Sequence, residues 1–274
     1  MNRRNFIHSA ALTAASLPLK ASLMTNAKDK QQWYELRTYT FADNTQRDLT
    51  SAYLEKALIP ALNRAGIANI GVFNEQPQPA IPGAATPSAA PASSIPSTYL
   101  LIPFDSIDAF TNITGILTRD SAYQQSAAPY LDAPATAPAY QRIDSSLLKA
   151  FAHMPQMDIP VQKPRLFELR RYESPTEAAG QKKIEMFNAA GEIDIFKKIG
   201  ARPVFFGETL IGAYRPNLTY MLTFDDMAGH DARWKAFGSD PDWKIISKKP
   251  EYSDDRLISK ITRTFLTPAP YSQV

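Results

Sequence analysis

Two short strings, Tyr34–Tyr39 (YELRTY) and Phe167–Tyr172 (FELRRY), repeat the pattern aromatic-Glu-Leu-Arg-x-Tyr 133 residues apart. Their alternation is the period of a β-strand, so one chain holds the same strand twice. The likeness continues downstream. Gly66 matches Gly200, and Ile67–Glu75 (IANIGVFNE) matches Ala201–Thr209 (ARPVFFGET). Thr98–Phe110 matches Thr219–Asp231, which pairs Tyr99 with Tyr220 at an offset of 121, and Arg119–Tyr123 matches Ser239–Trp243 at 120. A chain built this way must fold as two related halves.

The falling offset marks two insertions in the first half, 76–97 and 129–139. The first holds six prolines among Ala and Ser, the second Pro129, Pro134 and Pro138. Proline offers no ladder donor and breaks helices, so both read as extended, mobile excursions. The first repeat then spans 28–157 and the second 164–274, joined by the proline-bounded stretch Met157–Pro164.

Each repeat reads β-α-β-β-α-β. In the second, Ser174-Pro175-Thr176-Glu177 has the form of a capping box with Pro at the first helical position, predicting one helix from there to Ile199, ended by Gly200. The first predicts a helix from Gln46 to Ala65 before Gly66, bent at Pro60. The fold class is α+β: two tandem ferredoxin-like βαββαβ units. Such a sheet has helices on one face only, so the two antiparallel sheets are expected to cover each other and form an intramolecular barrel with the helices outside.

The paired YELR-Y strands, together with Arg233–Trp243 (RWKAFGSDPDW), resemble the NIPSNAP family over most of Trp33–Phe265. The second repeat is the better match, since Tyr123 stands in the first where Trp243 does in the second. The resemblance implies the dimeric α/β-barrel fold, built here as a tandem repeat within one chain, and the export habit of many bacterial members. It implies little chemistry.

Side chains at i, i+2 and i+4 of a strand share a face. Glu35, Arg37 and Tyr39 therefore point one way, as do Glu168, Arg170 and Tyr172. With the Leu-bearing faces assigned to the helices, both Glu-Arg-Tyr rows are expected to line the space between the sheets. The functional reading is a polar pocket: an arginine grips a carboxylate or enolate, a glutamate acts as base and a tyrosine donates a hydrogen bond. The bland reading is a Glu–Arg lattice that fixes sheet register.

Histidine is scarce: His153 and His230 remain after the N-terminal His8, and no HxH or HExxH spacing suggests a metal site. His230 reads as a surface helix residue, or alternatively as a base or haem ligand. Trp234, Phe237 and Trp243 read as core. Gly191, Gly200, Gly207 and Gly212 form no nucleotide-binding pattern, so no cofactor is called for.

Residues 1–27 carry Arg3, Arg4 and Lys20, no acid, and a mild apolar run at Ser9–Leu19. This is the pattern of an export leader, with paired arginines of the twin-arginine kind, and it predicts a periplasmic or extracellular protein. Of the net charge of +3, these three cations account for all. A neutral body offers neither nucleic acid nor an anionic membrane an electrostatic footprint, and no stretch is long enough for stable membrane insertion. The absence of cysteine excludes disulfides and thiol chemistry. The expected protein is a non-catalytic or small-molecule-binding barrel. A cofactor-independent monooxygenase-like or haem-handling enzyme is the alternative, and homo-oligomerisation is left open.

Overall fold

The computed structural model describes residues 30–77 and 95–274. The leader at 1–27 and most of the first proline-rich insertion lie outside the described residues.

In the first repeat, strand β1 (Trp33–Thr40) leads into helices α1 (Asn44–Tyr53) and α2 (Ile59–Arg64). Strands β2 (Gly71–Glu75) and β3 (Thr98–Phe104), helices α3 (Ile107–Arg119) and α4 (Ser121–Leu131) and strand β4 (Arg142–Ala150) follow. The second repeat runs β5 (Leu166–Glu173), α5 (Glu177–Asn188), α6 (Glu192–Lys198), β6 (Arg202–Ile211), β7 (Asn217–Phe224), α7 (Met227–Ser239), α8 (Pro241–Ile246), α9 (Asp254–Leu257) and β8 (Lys260–Pro268). All eight strands close into one barrel in the order β1-β3-β2-β8-β5-β7-β6-β4. Each repeat contributes four strands in ferredoxin-like order. The two seams, β2 against β8 and β4 against β6, are antiparallel ladders between the repeats.

The register shows which residues correspond. Arg37 lies opposite Leu100 and Arg170 opposite Tyr220, so β3 and β7 correspond at an offset of 120. The sequence pairing of Tyr99 with Tyr220 is therefore one residue out, and a slip of one moves every side chain to the other face. Tyr99 packs with the barrel interior, while Tyr220 packs under the helices. The same offset holds for α3 and α7, capped by Ser106 and Asp226, and for α4 and α8, capped by Asp120 and Asp240.

Local chemistry explains the helix boundaries. Gly66 (φ 84°) and Gly200 (φ 74°) end α2 and α6 as predicted. In both, the glycine N–H and the following N–H turn back onto the last helical carbonyls in a Schellman motif. Pro60 does disturb its helix, in the form of a π-helical turn at Leu54–Leu58 where the Ile59 N–H reaches back to Leu54. Pro60 has no N–H to give, and a π-turn is one way to absorb the missing bond. Three expectations are corrected. The cap of α5 is Thr176, whose hydroxyl accepts from the Ala179 N–H, while Ser174 stays outside the helix. The helix foreseen up to Ile199 is broken after Asn188, where Gly191 takes φ 93°. In the second insertion, α4 continues through Pro129 to Leu131, and Ala139 is buried. The tyrosines explain this order: Tyr130 stacks on Tyr53 with ring centroids 3.8 Å apart.

The barrel interior is apolar. Tyr34, Phe73, Leu101, Leu148, Phe167, Leu169, Phe205, Met221 and Leu266 meet there, with Phe73 and Phe167 in edge contact across the repeats at 4.8 Å. The Tyr34–Leu36 and Phe167–Leu169 faces thus line the interior, and both Glu-Arg-Tyr rows face the helices. This inverts the expected orientation. The physical reason is solvent. An eight-stranded barrel is just wide enough to be filled by side chains, and an ionised row sealed inside it would cost several kcal/mol per uncompensated charge. Under the helix layer Arg37 keeps 24% of its side chain exposed.

Candidate polar sites under the two helix layers

The inversion separates the two rows: each lies beneath its own repeat's helices. They do not form one shared pocket.

In the first repeat, Arg37 donates Nε and Nη2 to the two oxygens of Glu35 at 2.6 and 2.9 Å, and the Ser145 hydroxyl adds 2.8 Å to Glu35 Oε1. Burial opposes the arginine's charge, but the glutamate outweighs it and raises the Arg37 pKa. The Tyr39 hydroxyl also lies against the guanidinium and helps to raise its pKa. Tyr39 is fully buried; its hydroxyl lies close to Arg37 and Tyr130, short of good hydrogen-bond geometry with either. Above them a cavity of about 290 Å³ lies between the sheet and α1–α4, lined by Arg37, the aliphatic side chains of Leu58, Leu62, Ile113 and Leu117, and polar groups of Thr114, Thr118 and Gln124. The hydroxyls of Tyr53 and Tyr123 meet at 3.0 Å on its wall.

In the second repeat the same space is full. Glu168, with no exposure, accepts from Arg170 Nη1 at 2.7 Å and from the Trp234 indole N–H at 2.8 Å. Arg170 donates Nε and Nη2 to the Tyr172 hydroxyl, which meets the Tyr220 hydroxyl at 2.9 Å. Its guanidinium also lies over the Trp234 ring at 4.4 Å. His230 Nε2 is 3.3 Å from Glu168 Oε2, off the hydrogen-bond axis, and Nδ1 is 2.8 Å from Asp231. Burial pushes the His230 pKa down, but these two carboxylates outweigh it and the net shift is upward. Burial raises the Glu168 carboxyl, yet His230 and Arg170 hold it below its ordinary value.

His230 is thus a buried residue, 4% exposed, and not the surface residue expected. Haem does not fit it either: the ring is enclosed by Phe224 and Phe265 at 5.0 and 5.1 Å, with a carboxylate at each nitrogen. Trp234, Phe237 and Trp243 pack with Phe196 as the sequence suggested. His153 is exposed and pairs with Asp194 at 3.5 Å.

The sequence reading missed Lys183, whose ammonium is buried 3.5 Å from Glu192 and within 6 Å of the Tyr172, Phe187 and Trp243 rings. It also missed why only one repeat is open. At the offset of 120, Trp234 corresponds to Thr114, Phe237 to Leu117 and Tyr220 to Leu100. At the offset of 134 set by Gly66 and Gly200, Phe196 corresponds to Leu62. Three of these smaller residues, Thr114, Leu117 and Leu62, line the cavity. What the repeats share is the frame: Arg64 pairs with the α4 cap Asp120 at 2.6 Å, and Lys198 with the α8 cap Asp240 at 2.7 Å.

These features define a dimeric α/β-barrel completed within one chain. Solved structures agree on the fold. A candidate monooxygenase of Fusobacterium nucleatum superposes with a TM-score of 0.54 at 10% identity, covering 87% of this chain and 92% of the other. One from Lactobacillus acidophilus gives 0.54 at 11%, covering 87% and 94%. The NIPSNAP family model matches residues 167–273, which lie in the second repeat. A NIPSNAP family protein of Agrobacterium tumefaciens covers 39% of this chain and 96% of its own, at 20% identity and a TM-score of 0.35. No curated protein matches the chain in sequence. Among the described residues, no helix is long and apolar enough to cross a membrane.

Proposed function

We propose that the protein is an exported small-molecule-binding barrel whose binding space is the cavity above Arg37, with the second repeat as its structural half. The observation that carries this reading is the asymmetry: one shared frame holds a half-open cavity of about 290 Å³ on one side and a filled charge network on the other. Binding is favoured over catalysis because Glu35, the carboxylate of the row, already accepts from Arg37 twice and from Ser145. Its oxygens are occupied by donors, and among the described residues no carboxylate lines the cavity. The names of the two superposed proteins suggest oxygenase chemistry as a second reading, and it would have to run in this same cavity.

Thr114→Trp tests the site, because it installs the residue that fills the corresponding space in the second repeat. Wild-type protein should show ligand-dependent changes in methyl NMR signals around Ile113 and Leu117, and the variant should show none. Equal responses in both would overturn the assignment. Export is tested separately, by fractionation of cells carrying Arg3→Lys and Arg4→Lys. The double variant should accumulate uncleaved inside the cell.

A further inference from the structure

The charge balance of the site restricts the class of ligand. Arg37 is the cation that lines the cavity, and its charge is matched at 2.6 Å by Glu35. The first repeat has no counterpart of His230, since the matching position is Phe110, and it has no second arginine comparable to Arg263, which lies 4.0 Å from Glu168. The floor is therefore neutral as a unit. A carboxylate entering it would place a second anion close to Glu35, whose side chain is 8% exposed. It would then rely on one guanidinium edge for compensation. Burying an ionised group without full pairing costs several kcal/mol.

What the floor offers is hydrogen-bond donation without net charge. With Nε and Nη2 taken by Glu35 and the Tyr39 hydroxyl close to the guanidinium, the donor capacity Arg37 keeps for the cavity lies on Nη1, which carries two N–H groups. The Tyr39 hydroxyl is not part of this offer: it does not line the cavity and is buried close to Arg37 and Tyr130. The Tyr53–Tyr123 hydroxyl pair on the wall shares one hydrogen bond and retains one O–H. Burial, above all, together with that shared bond keeps the Tyr53 phenol protonated. The rest of the wall is mainly apolar, with Leu58, Leu62, Phe104, Ile113 and Leu117, and carries the uncharged polar groups of Thr114, Thr118 and Gln124.

We infer that this cavity takes a compact, uncharged, largely apolar molecule bearing a hydrogen-bond acceptor of the carbonyl type, with the acceptor on Arg37 Nη1 and the hydrocarbon body against the apolar wall. This rests on the binding reading above and narrows it. It also replaces the carboxylate or enolate suggested by the strand motif, because the strand's own glutamate occupies the role a ligand anion would have.

The test is a shape-matched panel, cyclohexanone, methylcyclohexane and cyclohexanecarboxylate, titrated into wild-type protein, Arg37→Lys and Thr114→Trp, with dissociation constants read from methyl NMR shifts. Cyclohexanone should bind wild type about tenfold or more tighter than either of the others, the margin expected of one hydrogen bond from a charged donor. That margin should shrink in Arg37→Lys, which keeps a cation but loses the planar fork, and all binding should vanish in Thr114→Trp. Tightest binding by cyclohexanecarboxylate, abolished by Thr114→Trp, overturns the neutral class and leaves the binding site standing. Equal binding of the ketone and the hydrocarbon overturns the role of Arg37. No response from any probe in wild type overturns the site along with the class.

Discussion

The two repeats share a frame and differ in what fills it. Both have a Glu-Arg-Tyr row on the first strand, a Schellman-capped helix, and a basic residue locked to an aspartate helix cap. In the second, three large aromatics, Trp234, Phe237 and Phe196, close over the row, and Trp234 becomes the second donor to Glu168. In the first, Thr114, Leu117 and Leu62 leave a space instead. The row itself is thus architecture, and whether it becomes a site is decided by the size of side chains that reach it from the helices.

The largest expected effect comes from making the second repeat resemble the first. Trp234→Thr removes a packed ring, a cation–π contact and the hydrogen bond to a fully buried carboxylate. It should cost about 4–5 kcal/mol in urea unfolding, because the ring, though only partly buried, is lost together with a hydrogen bond to the fully buried Glu168. A loss below about 1 kcal/mol would mean the closure is incidental.

Glu168→Gln should cost about 3–4 kcal/mol, since it strands Arg170 and His230 in a buried network. Glu35→Gln, with Arg37 partly in water, should cost only about 1–2 kcal/mol. Equal losses would erase the distinction between a sealed and an open row.

The smallest effect is a pH dependence confined to the second repeat. The raised His230 pKa contributes stability that is complete below the ordinary histidine range and lost as pH rises through the folded value. The lowered Glu168 pKa contributes stability present above the ordinary carboxylate range and lost in acid. The advantage of wild type over His230→Phe, which borrows the Phe110 identity, should therefore peak between about pH 4.5 and 6.5 and shrink toward pH 9. Denaturant midpoints across that range would show it, and a flat difference would remove the ion pair from the account.

Much of the frame was legible in the sequence, because duplication and period-two alternation are properties of spacing alone. Gly66, Gly200 and the barrel closure followed from them. Alternation says which residues share a face but not which side that face sees, so the Glu-Arg-Tyr rows were grouped correctly and pointed the wrong way. The Thr176 cap and the break at Gly191 escaped because a Ser-Pro-Thr-Glu run offers two capping hydroxyls, and an apolar stripe continues across a left-handed residue. The cavity left a trace: setting Arg119–Tyr123 against Ser239–Trp243 at 120 places Thr114 against Trp234. The offset of 121 one element earlier obscured that size difference.

The two seams, β2 with β8 and β4 with β6, join halves that are already one molecule. A barrel assembled from two separate chains comes apart when it is diluted, and its apolar interior is then exposed to water. Here each half meets the other at an effective concentration set by the short connection between β4 and β5, whatever the amount of protein present. The interior therefore stays closed however far the protein is diluted.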